Sequence, residues 1–160
     1  MKGYGYGIWI VYDQDIFQPT VTKLKHTGHF TVACFMEKED ALNLYVEILD
    51  KIGNEVTIHV SKNYEIYKKN MYEKDENDIC SWGYNGTSTY NGTCKKWPML
   101  HKICKKYDCN FAHQIHTSIQ YAKRTYLLEP TYLEKDMIIN GSIHLVNICS
   151  GEPKDWHIIL

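Results

Sequence analysis

The sequence predicts an α+β fold of two similar lobes, and three observations predict it. Two short runs, Gly28-His29-Phe30-Thr31-Val32 and Ile115-His116-Thr117-Ser118-Ile119, each set a histidine and a hydroxyl two residues apart in apolar surroundings. Leu42, Tyr45, Leu49 and Ile52 recur at helical spacing after the first run, and Leu100, Ile103, Cys104 and Tyr107 do so before the second. The order strand, histidine strand, helix, strand is then answered by helix, histidine strand, strands, as two comparable layers of sheet and helix require. A chain of 160 residues has room for one domain over 1–160 with a sizeable core.

Taken in order, Tyr6 to Tyr12 is nearly continuous in apolar character and rich in β-formers, which predicts a central strand covered on both faces. Asp13 to His26 reads as a connection. Phe30 to Met36 is the first histidine strand, with Phe30, Val32, Cys34 and Met36 expected behind His29 and Thr31. Glu37, Glu39 and Asp40 load the start of the first helix with negative charge, and Gly53 stops it. Val56, Ile58 and Val60 alternate with polar residues as a half-buried strand does, and Tyr64 to Tyr67 is expected to pair with it. Asn85-Gly86, Asn91-Gly92 and Asn140-Gly141 read as tight turns, the first two within a hairpin or loop over 81–93. Pro98 suits the first turn of the second helix. Strands are expected within 110–122, over 137–149 and at 156–160.

Composition narrows the partners. With 18 Lys and Arg against 19 Asp and Glu, net charge is −1, so an electrostatic grip on duplex nucleic acid is not expected. No apolar run reaches the roughly 18 residues of a membrane span. The N-terminal segment lacks the apolar stretch of a secretory signal, so a cytoplasmic location is expected, the six cysteines are read as free thiols, and the three Asn-Gly-Thr/Ser sequons are read as turns. Thirteen tyrosines and four tryptophans serve equally for a core or for stacking on bases.

The His-x-Thr/Ser triplets carry the chemistry. Random placement of eight histidines yields roughly one such triplet, whereas three are present, the third being His59-Val60-Ser61. The pair at 29 and 116 lies deepest in apolar runs and divides the chain most evenly. On a strand, His29 and Thr31 share one face, and so do His116 and Ser118. Cleaving a phosphodiester needs a base for the attacking oxygen and an acid for the leaving oxygen. Two histidines supply both near neutrality, because one can be neutral while the other is charged. Thr31 and Ser118 can donate hydrogen bonds to non-bridging phosphate oxygens. The scheme uses no metal and no cofactor.

His29-Phe30-Thr31-Val32 and His116-Thr117-Ser118-Ile119 resemble the paired motifs of the 2H phosphoesterase superfamily, the LigT-like group. The resemblance implies a two-lobed fold, antiparallel sheets lining a central cleft with helices outside. It also implies metal-independent cleavage of cyclic phosphates, RNA ends or 2'-5' linked and cyclic oligonucleotides. His29 and His116 would be the acid–base pair and Thr31 and Ser118 the phosphate binders. Gln120-Tyr121 follows the second motif in place of the frequent leucine and glycine. Short length and abundant aromatic residues make the chain similar to viral members that destroy nucleotide immune messengers, which would place it in a host cytoplasm. Tyr6 and Trp82 are then the expected base stackers, with Lys25, Lys123 or Arg124 meeting a second phosphate.

Two other readings stand beside this one. A nucleotide-binding module would keep the cleft without turnover. A zinc clip could draw on Cys80, Cys94, Cys104 and Cys109 with His101 and His113, although their gaps lack the tight Cys-x2-Cys spacing of structural zinc sites.

Overall fold

Among the described residues, apolar alternation and helical spacing resolve into one curled, antiparallel sheet with two helices packed on it. The structure, a computed structural model, describes residues 3–17, 27–69, 85–123, 133–150 and 155–160. Strand β1 (Tyr6–Val11) leads through a 3-10 turn (Gln14–Phe17) toward β2 (His29–Met36) and α1 (Lys38–Lys51). Then come β3 (Glu55–Lys69), β4 (Asn85–Thr93), α2 (Trp97–Cys104), β5 (Asn110–Phe111), β6 (His116–Lys123), β7 (Met137–Asn147) and β8 (His157–Ile158). Among the described residues the strand order is β5-β2-β1-β7-β3-β4-β6, with β8 beside β7. The halves join where β7 pairs with both β1 and β3.

β1 is central and covered on both faces, as its composition predicts. Ile8 and Ile10 enter the main core with Phe30, Leu44, Ile48, Ile58, Leu100 and others, while Trp9 enters a smaller cluster on the opposite face. In β2 the simple alternation fails. Val32 and Ala33 both reach the main core, and Cys34 turns to the opposite cluster instead of backing His29. The reason is an irregular register, with Trp9 opposite Thr31 but Ile8 opposite Ala33; an extra residue on one strand moves every later side chain to the other face. Farther on, Phe35 adopts φ 62°, and Met36 is again in the core.

The helices form where the spacing predicts. In α1 the buried residues are Ala41, Leu44 and Ile48, whereas Leu42 is exposed, so the apolar face is rotated from the expected one. Gly53, at φ 95°, ends it. Glu47 ties α1 to the segment after α2, meeting Lys106, Lys51 at 2.8 Å and the Tyr107 hydroxyl at 2.9 Å. Hydrogen bonds from Lys106, Lys51 and Tyr107 hold its carboxyl well below the usual range, at about 2. A lowered carboxylate stabilises the fold above its unfolded-state pKa, and the contribution is lost as pH falls toward the folded value. The stability advantage of the native chain over Glu47→Gln is therefore expected to shrink between about pH 4.5 and pH 2, which denaturation midpoints across that window measure.

The Asn-Gly pairs are not turns. Asn85-Gly86 and Asn91-Gly92 both lie within β4, and β7 runs unbroken through Asn140-Gly141. Close approach explains two of them: a Cβ on Gly92 would stand 2.7 Å from Ile58 Cγ2, and one on Gly141 2.4 Å from Ile10 Cγ2. Tyr64 to Tyr67 continues β3 past an irregularity after Val60 and pairs with β4 rather than with 56–60. Five cysteines, at 34, 94, 104, 109 and 149, are free thiols. No helix among the described residues is long and apolar enough to cross a membrane.

Candidate functional site

The curl of the sheet brings the two triplets together. Thr117, fully buried at the centre of the second triplet, donates its hydroxyl proton to the main-chain carbonyl of His29 at 2.7 Å. That hydroxyl has one proton, so the Tyr12 hydroxyl, also at 2.7 Å, donates to Thr117 Oγ1. His116 and Ser118 each lie one residue, about 3.8 Å along the chain, from this contact. Because neighbours on a strand alternate in direction, their side chains project away from the core that receives Thr117. His29 and Thr31 likewise project away from Phe30 and the main core.

Both rings are held the same way. His29 Nδ1 lies 2.7 Å from the Thr27 carbonyl and His116 Nδ1 lies 3.1 Å from the Gln114 carbonyl. A carbonyl only accepts, so Nδ1 carries the proton and Nε2 is the atom that gains or loses one. His157 makes the same two-residue contact with Asp155, so the local geometry is common; what distinguishes 29 and 116 is that their segments meet through Thr117. His29 is further clamped by Trp9, stacked at 3.6 Å and 9°, with Trp156 edge-on at 6.1 Å. It is 5% exposed, as against the partly exposed ring of His116.

Polar atoms without partners gather around this seam. Among the described residues, Trp9 Nε1, Ser88 Oγ, Thr89 Oγ1, Tyr90 OH and Asn91 Oδ1 are buried with no hydrogen-bond partner. Thr89 stands opposite Ser118, and Asn91 opposite His116, in the β4–β6 register.

The other expected site residues fall elsewhere. Tyr6 packs against the main core, on the opposite side of β1 from Trp9, and so does not share the face of His29. Lys25, Trp82 and Arg124 lie outside the described residues, and Lys123 closes β6 with its side chain outside them. His59 is exposed on β3, separated from β2 by β7 and β1. Among the described residues no three His, Cys, Asp or Glu side chains converge as a metal-binding group, and Cys80 of the zinc reading lies outside them.

Two features escaped the sequence reading. Ser142 Oγ lies 2.7 Å from His144 Nε2, and His144 Nδ1 lies 2.9 Å from the Leu160 oxygen. This is the same residue pair in reversed order, Ser-x-His, two strands from the first triplet, with Val11 between Ser142 and His29. The second is an open pocket of about 430 Å³ lined by Trp97, His101, Phe111, His113 and Gln114 among others. His101 stacks on Phe111 at 4.6 Å and 17°, and burial, aided by Lys105 and His113, holds it below the ordinary histidine value. The pocket adjoins the seam through Gln114, whose carbonyl anchors His116. Searches of protein-family models, curated proteins and solved structures found no match to this chain.

Proposed function

We propose that the chain is a phosphodiesterase of the two-lobed 2H type, cleaving a small cyclic or 2'-5' linked nucleotide without a metal, with an immune second messenger as its substrate. The single observation that supports this is the Thr117 hydrogen bond to the His29 carbonyl, which joins the two segments that carry the similarly anchored histidines. One imidazole, neutral at Nε2, takes the proton of the attacking oxygen as the new P–O bond forms. The other, protonated at Nε2, gives its proton to the leaving oxygen as the old P–O bond breaks. Thr31 and Ser118 donate to the non-bridging oxygens as their charge grows.

The aromatic pocket beside Gln114 supports a nucleotide in particular. Its volume is within the range of small-molecule sites, and stacking a base on such rings is worth roughly 1–3 kcal/mol each. Trp97, Phe111 and His101 thus take the stacking role first expected of Tyr6. RNA-end processing at a 2',3'-cyclic phosphate uses the same acid–base pair and belongs in the same test. Purified protein in EDTA is expected to convert at least one of a 3'-5' cyclic dinucleotide, 2'-5' oligoadenylate and a 2',3'-cyclic phosphate, followed by chromatography. No product from any of them, with or without EDTA, overturns the enzyme; tight binding without product is the result expected of a nucleotide-binding module.

A further inference from the structure

Strand β4 carries a feature that acid–base chemistry does not use. Ser88, Thr89, Tyr90 and Asn91 are consecutive, and each has a buried polar atom with no hydrogen-bond partner among the described residues. Strands rarely tolerate this, since buried polar groups are nearly always paired. Tyr90 faces the core, stacked on Phe17. Thr89, only 1% exposed, and Asn91 face the other way, paired in register with Ser118 and His116.

We infer that Thr89 and Asn91 bind the ribose next to the phosphate and make the site selective for a sugar that carries a free hydroxyl. The inference rests on the phosphodiesterase reading and names which sugar that site takes. Side chains directly opposite on paired strands stand about 5 Å apart at Cβ, so groups beside Ser118 and His116 meet atoms a few bonds beyond the phosphorus. A threonine hydroxyl and an asparagine amide each both donate and accept. That matches a sugar hydroxyl, which does the same, better than a phosphate oxygen, which only accepts.

The test uses Thr89→Val and Asn91→Leu in the full chain, with 3'-5' cyclic diadenylate and its 2'-deoxy counterpart, and 2'-5' oligoadenylate and its 3'-deoxy counterpart. The native chain is expected to prefer the hydroxyl-bearing member in kcat/KM by at least about tenfold, because a site built to hydrogen-bond a hydroxyl rejects the analogue lacking it. Each variant is expected to lose that preference by slowing only on the hydroxyl-bearing substrate. Thermal midpoints are expected not to fall in Thr89→Val, since a buried unpaired hydroxyl is being replaced by a methyl of the same shape. Turnover by the native chain with no preference, or with a preference that both variants keep, overturns the ribose assignment and leaves the phosphodiesterase standing. No turnover of any substrate by the native chain overturns both.

Discussion

His29→Ala and His116→Ala are each expected to lower kcat/KM by about 10²- to 10⁴-fold, the usual contribution of a positioned acid or base. His29 is held by the Thr27 carbonyl and the face of Trp9, and His116 by the Gln114 carbonyl. These contacts fix the orientation of each ring. The native pH dependence of kcat/KM is expected to be bell-shaped, each variant losing one limb. Steady-state rates on whichever panel substrate is turned over fastest measure this. Turnover retained in either variant contradicts the residue assignment.

Thr117→Val is expected to be the most damaging conservative change outside the histidines. It removes a donor from the His29 carbonyl and an acceptor from the Tyr12 hydroxyl in the interior. Losing these two buried hydrogen bonds costs about 1–3 kcal/mol, which for a chain of this size lowers the thermal midpoint by roughly 2–10 °C. Thr117 touches no reacting atom and is a positioning residue: it fixes how far β6 stands from β2. A displacement near 1 Å is enough to cost about 10²-fold in rate. Thr117→Ser keeps the hydroxyl and is expected to restore rate and pH profile even where the lost methyl leaves the midpoint low. Equal rates in Thr117→Val and the native chain would mean that the seam does not set the geometry.

The sequence makes the strand and helix positions legible because burial imposes a period. Tyr6–Val11 is recognisable by continuous apolar character, and α1 by its spacing and by Gly53. Periodicity assigns faces within one strand but says nothing about which strands become neighbours. That is why the Tyr12–Thr117–His29 relay could not be foreseen, and why Thr117, flanked by two polar site residues, passed as a spacer. The Asn-Gly pairs misled for a related reason. Gly92 and Gly141 are glycines because Ile58 and Ile10 press against the backbone, a tertiary contact that imitates a turn signal. Cys34 changed face through the irregular β1–β2 register, which leaves no mark in composition.

At the site, the histidines and hydroxyls of the two triplets were readable from spacing, whereas their surroundings were not. Trp9 reads as a core residue, and it is buried, but in the smaller cluster where its ring covers His29. Ser142 and His144 reverse the order that the motif requires. Thr89 and Asn91 lie in a stretch rich in Thr, Asn and Gly whose composition resembles a loop. Only their register with Ser118 and His116 gives them meaning.

The most direct measurement of the central claim is the turnover of the His29→Ala/His116→Ala double variant beside the two single variants. Groups that act as a unit in one transition state are strongly non-additive. The double variant is therefore expected to be no more than a few-fold slower than the slower single variant. Losses that multiply, so that the double variant falls by the product of the two single effects, would contradict a shared acid–base site.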